Sequence, residues 1–177
     1  VFEGAALRVS DAGIMGGTEV GGKVYFYPDQ TVSRSEFIVM AMTAAGISDL
    51  PACSATVFAD DGDIPASAKP YIGAAYKLGI CDGWIKDGKQ CFLPDEAVSV
   101  AEAAVITAGL LEIKTDGATA AWCDDGGVPA WASAGFGTMK AAGFVGTVPA
   151  SGARSGLDRR TCAVLMAAIM RYSAAKK

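Results

Sequence analysis

The chain has 177 residues, 51% of them hydrophobic, with a formal net charge of −4 and a pI near 4.8. That composition suits a folded globule and excludes a disordered segment, and it argues against nucleic acid as a partner because phosphate binding calls for a concentrated basic face. Histidine is absent, which removes the commonest general base, the Ser-His and Cys-His nucleophile pairs and most zinc sites.

No run of eighteen apolar residues and no basic-then-apolar opening occurs, so neither a membrane span nor a signal peptide is expected within these residues. The chain starts at Val1 and reads as a segment of a longer, exported protein. It opens inside a helix, followed by a Gly-rich stretch ending in "YFYPD", which predicts a short hairpin and a turn. A helix then starts at Ser33, where Ser33 and Glu36 form an S-x-x-E capping box and Val32 and Phe37 have the spacing of a hydrophobic staple. Next comes an Asp-rich turn and Pro65, a residue suited to a first helical turn, with Gly79 as the stop. A second hairpin-like stretch ends in "CFLPD", and Ser99 with Glu102 repeats the capping box. The pattern returns from Pro129 to Gly143, then Asp158 caps a last helix in which Thr161 stands where glutamate stood. Leu157 and Cys162 repeat the staple, and Cys162, Leu165, Met166, Ile169 and Met170 make one apolar stripe directed at a common core.

These echoes are an internal repeat. Ala12 to Met40 aligns without a gap on Leu78 to Ile106 at an offset of 66, and Phe58 to Ile80 aligns on Trp122 to Phe144 at an offset of 64. The third copy has a shorter central loop: Gly143 to Asp158 spans 15 positions, against 20 for Gly13 to Ser33 and for Gly79 to Ser99. Units this small cannot bury an apolar face alone and depend on their neighbours. We expect one domain over residues 1–177, with units at 1–47, 55–113 and 119–173, mainly α, each unit a helix, loop and helix with short hairpins at most.

In order, the chain carries "FAD" and "WCD", "PASA" and "PAWA", "GIMGG" and "GICDG", "FYPD" and "FLPD", and the helix-starting "SRSE", "SVAE" and "DRRT". Taken together and over the whole chain, these resemble the S-layer homology (SLH) domain family. The resemblance implies three repeats forming a pseudo-threefold domain around a central three-helix bundle, with grooves between lobes. It further implies binding of secondary cell-wall polysaccharide, often bearing a pyruvate ketal, which anchors exported proteins to the bacterial cell surface. The pattern is incomplete: unit one lacks its F-x-D and P-x-W-A portion, Ser67 stands where unit three has Trp131, and Val100 stands where the other units have Arg34 and Arg159.

A cation at the first helical position opposes the helix dipole at a cost of a few tenths of a kcal/mol, so Arg34 and Arg159 call for another reason than helix stability. An anion beside free helix-start amides supplies one, since guanidinium matches a carboxylate bidentately; the competing reading is a solvated surface arginine. Trp131 is either a stacking platform for a pyranose or packing for a helix start. Asp60 and Asp124 either accept from sugar hydroxyls or cap their turns. Lys23 and Lys89, at equivalent loop positions, either add charge to a ligand site or are exposed loop lysines, and Trp84 is a candidate substitute for the aromatic ring missing at Ser67. Phe58 and Trp122 are assigned to the core.

Other classes fare worse. The adjacent carboxylates Asp60–Asp61 and Asp124–Asp125 point in different directions and sit in repeated turns, unlike a glycosidase pair. "DDGD" lacks the spaced ligands and terminal glutamate of a calcium loop. Five cysteines without C-x-x-C spacing are expected as buried small hydrophobes, with Cys81–Cys91 the one pairing a hairpin would allow. The expectation is thus a binding module, not an enzyme, with no cofactor and no metal, whose partner is cell-wall polysaccharide. A scaffold that has lost sugar affinity and serves protein interaction or assembly is the alternative.

Overall fold

The computed structural model of the chain describes residues 2–113, 127–144, 147 and 152–176. Among them the protein is mainly helical: α1 (Phe2–Asp11), α2 (Arg34–Ala44), α3 (Lys69–Lys77), α4 (Val100–Leu110), α5 (Ser133–Ala141) and α6 (Arg159–Ala175). Two separate hairpins accompany the helices, β1 (Thr18–Val20) with β2 (Lys23–Tyr25) and β3 (Trp84–Lys86) with β4 (Lys89–Cys91).

Both hairpins turn through two residues at positive φ, Gly21–Gly22 (59° and 76°) and Asp87–Gly88 (51° and 73°). Such a pair matches the twist of the flanking strands. The registers are Glu19 opposite Val24 and Ile85 opposite Gln90.

The caps form as the sequence predicts. Ser33 Oγ accepts from the Glu36 amide while Glu36 accepts from the Ser33 amide, Ser99 and Glu102 do the same, and Asp158 accepts from the Thr161 amide. The start of α3 differs from expectation. The Pro65 carbonyl accepts from Ala68 and Lys69 at 2.8 and 3.2 Å, so Pro65 opens a preceding turn and the helix proper begins at Lys69, with Pro70 in its first turn. In the equivalent place a 3₁₀ turn, Ala130–Ala132, leads into α5.

Packing joins helices from different repeats. α2 lies against α3, α4 against α5, and α1 against α6, so the first and last helices close on each other; α2 also touches α6 and α4. Phe37, Ile38, Met42, Ile72, Leu165, Met166 and Ile169 are fully buried in the resulting core. At its top the three residues preceding the caps bond in a closed ring: Val32 donates to Leu157 at 2.9 Å, Leu157 to Val98 at 2.8 Å, and Val98 to Val32 at 3.0 Å. All three side chains are buried beneath it.

Candidate ligand grooves

The same ring determines what happens to the helix starts. The first two amides of α2 donate to Glu96 and Pro94, those of α4 to Ser155 and Ala153, and those of α6 to Gln30 and Pro28, all at 2.8 to 3.1 Å. With the third amide taken by the cap side chain, none of these three helix starts is the free anion site that the sequence suggested. Carbonyls of the neighbouring loop hold those positions instead.

The two arginines follow the same logic. Arg34 donates its Nε–H to the Phe92 carbonyl at 2.7 Å and lies 5.1 Å over that ring; Arg159 donates to Phe26 at 2.9 Å and lies 4.8 Å over that ring. Phe26 and Phe92 are the repeat's F-x-P-D phenylalanines, so each arginine staples its helix to the next loop through a hydrogen bond and a cation–π contact. Val100 now has a physical context: the segment meeting α4, around Ala153 and Ser155, is the shortened third loop. It carries no F-x-P-D phenylalanine for an arginine to cover.

Beyond these shared bonds the two arginines differ. Arg34 pairs with Glu102 with only 8% of its side chain exposed, and burial pulls its guanidinium below the ordinary range. Arg159 is half-buried, gives a second N–H to the Gly16 carbonyl at 2.6 Å, and has no carboxylate partner among the described residues.

Each arginine borders a groove. The first, about 310 Å³, is lined by Arg34, Asp82, Trp84, Glu102, Val105 and Trp131; the second, about 320 Å³, by Arg159, Gly16, Glu36, Val39, Pro65 and Ser67. By the repeat register these are the same place twice: Glu36 corresponds to Glu102, Val39 to Val105, Gly16 to Asp82 and Ser67 to Trp131. Their size is at the low end of ligand pockets, roughly 300–1,000 Å³.

The predicted residues therefore sort as follows. Arg34, Trp84 and Trp131 come together in the first groove, with Trp84 and Trp131 exposed by 47% and 53%. Trp131 does not share a groove with Arg159, although both belong to the third repeat, because the start of each repeat packs on the closing helix of the previous one. Asp60 has both carboxylate oxygens engaged, by the Phe92 and Leu93 amides at 2.8 and 2.7 Å, and it holds a loop in which Leu93 sits at φ 58°. Asp60 makes no side-chain cap bond to its own turn, so its carboxylate braces the loop of the F-x-P-D segment across the repeat instead of capping locally. Lys23 and Lys89 are exposed on their hairpins and line neither groove. Asp124 lies outside the described residues, as does Trp122. Phe58 is buried against Phe92 and Tyr76.

Glu102 is the residue that sequence reasoning missed. Besides capping α4, its Oε1 accepts from the Trp84 indole N–H at 3.1 Å and meets Arg34, tying one aromatic wall to the cation. Its recurrence as Glu36 was the available signal, but the cap accounted for both. Cys81 also lines the first groove; burial pushes its thiol up to about 11. Cys81 and Cys91 are both free, and Cys91 lies opposite Trp84 in the hairpin, not opposite Cys81.

No family model and no curated protein matches this chain.

Proposed function

We propose that the chain is a non-catalytic module of three helix–loop–helix units about a pseudo-threefold axis, binding secondary cell-wall polysaccharide at the bacterial cell surface. Support for the arrangement comes from the closed ring of Val32, Leu157 and Val98 and from the cyclic pairing of α1 with α6, α2 with α3 and α4 with α5. Support for binding rests on one observation: two grooves at equivalent places in the repeat each combine an arginine, an acid and an apolar floor. The first adds two exposed indoles, whose faces complement the C–H face of a pyranose. In the second, Arg159 lacks a carboxylate partner among the described residues and is the better receiver for a ketal carboxylate.

Sedimentation with purified cell wall tests this reading. The wild-type chain is expected to co-sediment with the wall without shortening the polymer. Arg159→Ala, by losing a charge-assisted contact, is expected to weaken binding roughly tenfold to a hundredfold. A second reading, a scaffold for protein assembly without sugar affinity, is favoured by the bonds that both arginines make to backbone carbonyls. Failure of wild type to bind any wall polysaccharide selects it.

A further inference from the structure

Resting on that wall-binding reading, we propose that the first groove, between Trp84 and Trp131, selects an uncharged sugar ring and rejects anionic ones, so that the two grooves read different residues of one polymer. The two grooves share a register and differ in charge. The charged residues lining the first are one cation, Arg34, and two carboxylates, Asp82 and Glu102; those lining the second are Arg159 and Glu36. In the first the cation is already committed. Arg34 gives its Nε–H to Phe92 and pairs with Glu102, and Glu102 is held in turn by the Trp84 indole and by the Ser99 amide and hydroxyl at 2.8 to 3.1 Å.

A ligand carboxylate entering there faces two like charges. To reach Arg34 it must displace Glu102 and strip partners from Trp84 and Ser99, and buried donors left unmade are costly. A sugar hydroxyl has no such conflict, because it donates to a carboxylate and accepts from a guanidinium or an indole with the existing bonds in place. The second groove has Ser67 where the first has Trp131 and Gly16 where it has Asp82, and Thr18, the register equivalent of Trp84, does not line it. It lacks aromatic walls and carries one acid fewer.

Tryptophan fluorescence reports on the first groove, since two of the chain's three tryptophans line it and, among the described residues, none lines the second. The probes are wall oligosaccharides bearing a pyruvate ketal and the same oligosaccharides with that carboxylate converted to its methyl ester, which preserves shape and removes charge. The ester is expected to change the fluorescence, and Trp131→Ala to abolish that response. The free acid is expected to bind this groove at least about fivefold more weakly than the ester. Glu102→Gln keeps an acceptor for the cap and the indole, and is expected to bring acid and ester within about twofold of each other. Asp82→Asn lies outside the cap and narrows the same gap without risk to α4. Equal or tighter acid binding in wild type, or a gap unmoved by both variants, overturns the proposal. So does wall binding that neither alters fluorescence nor responds to Trp131→Ala, while leaving the wall-binding reading intact. Absence of binding by acid, ester and intact wall overturns both. A proline-rich peptide that changes the fluorescence when neither sugar does assigns the groove to protein docking and overturns it as well.

Discussion

The amide of Val32 donates to the carbonyl of Leu157 at 2.9 Å, joining residues 125 positions apart in the chain. That bond is one side of the ring through Val98, and it places the opening of α6 beside the opening of α2. Stability of the early repeats therefore depends on the last.

The first prediction concerns that dependence. Deleting residues 119–177 removes α5 and α6, strips the partner from α1, exposes one face of both α2 and α4, and leaves Val32 and Val98 without their bonds to Leu157. The remaining chain of residues 1–118 is expected to show no cooperative thermal transition, because units of this kind draw their stability from neighbours. A sharp melt of that fragment, followed by circular dichroism, contradicts the interlocked arrangement.

The arginines give a second test, on stability and not on binding. Arg34 is buried and paired with Glu102, so Arg34→Ala strands a carboxylate and a carbonyl and is expected to cost about 3–5 kcal/mol. Arg159 is half-buried and bonded to two carbonyls, with no carboxylate partner among the described residues, so Arg159→Ala is expected to cost about 1–2 kcal/mol. Urea melts of both variants rank them. The reverse order removes the argument that Glu102 commits Arg34.

How far the sequence anticipates this structure depends on the range of the interaction. Capping boxes are decided within four residues and form as read, and the two Gly-rich stretches form the short hairpins expected of them. The repeat register also held at the site, since equivalent residues line both grooves. The partners across repeats were not legible. Nothing local in "SRSE" says that the α2 amides meet Glu96 and Pro94, so an anion was called in where carbonyls already stood. Local sequence does not decide the role of Asp60 for the same reason, since its bonds to Phe92 and Leu93 span more than thirty residues. Repeat membership alone places Trp131 with Arg159, whereas the fold groups the start of one repeat with the end of the previous one.

Gly83 supplies a third prediction. Its φ is 73°, and a Cβ there would stand 2.5 Å from the Cys91 carbonyl oxygen and 2.6 Å from the Phe58 ring. Neither neighbour can yield easily, one being strand backbone and the other a buried ring. Gly83→Ala is expected to destabilise the protein by about 3 kcal/mol, from left-handed strain and overpacking together. Gly62→Ala, at a site with open space and no positive φ, serves as the control and is expected to change stability by less than about 0.5 kcal/mol. Equal melting temperatures for the two variants count against the close hairpin approach.

Thiol chemistry offers a fourth. Cys53, Cys81, Cys91 and Cys162 are free; burial raises the thiol of Cys81 to about 11 and pushes that of Cys162 up as well. Since the thiolate is the reacting form, among these four the native protein at neutral pH is expected to label first at half-buried Cys53 and last at Cys162. Unfolding without reductant is expected to open all four to the reagent. Mass spectrometry that finds Cys81 and Cys91 unlabelled after unfolding indicates a disulfide.

The last prediction is a pH dependence with its sign worked out. Asp61 accepts from the Lys69 ammonium at 2.6 Å and from the amide and hydroxyl of Thr56 at 2.6 and 2.8 Å, pinning the segment before α3 to that helix. The hydrogen bond from Lys69 comes first among the causes that lower its carboxyl from 3.8 to about 2, with the two Thr56 bonds adding to it. A carboxyl depressed in the folded state binds fewer protons there than in the unfolded chain, so its contribution is fully present above the ordinary value of 3.8 and is lost as pH falls through about 2. Wild type is therefore expected to lose stability more steeply than Asp61→Asn as pH falls across that interval, and the two curves converge at its acid end apart from a constant offset. Lys69→Met, which removes the leading cause, is expected to flatten the same window without touching the carboxyl itself. Urea midpoints measured across the interval decide the matter: parallel curves for wild type and both variants mean that Asp61 carries no linked proton and that the pinning of α3 rests on its apolar contacts alone.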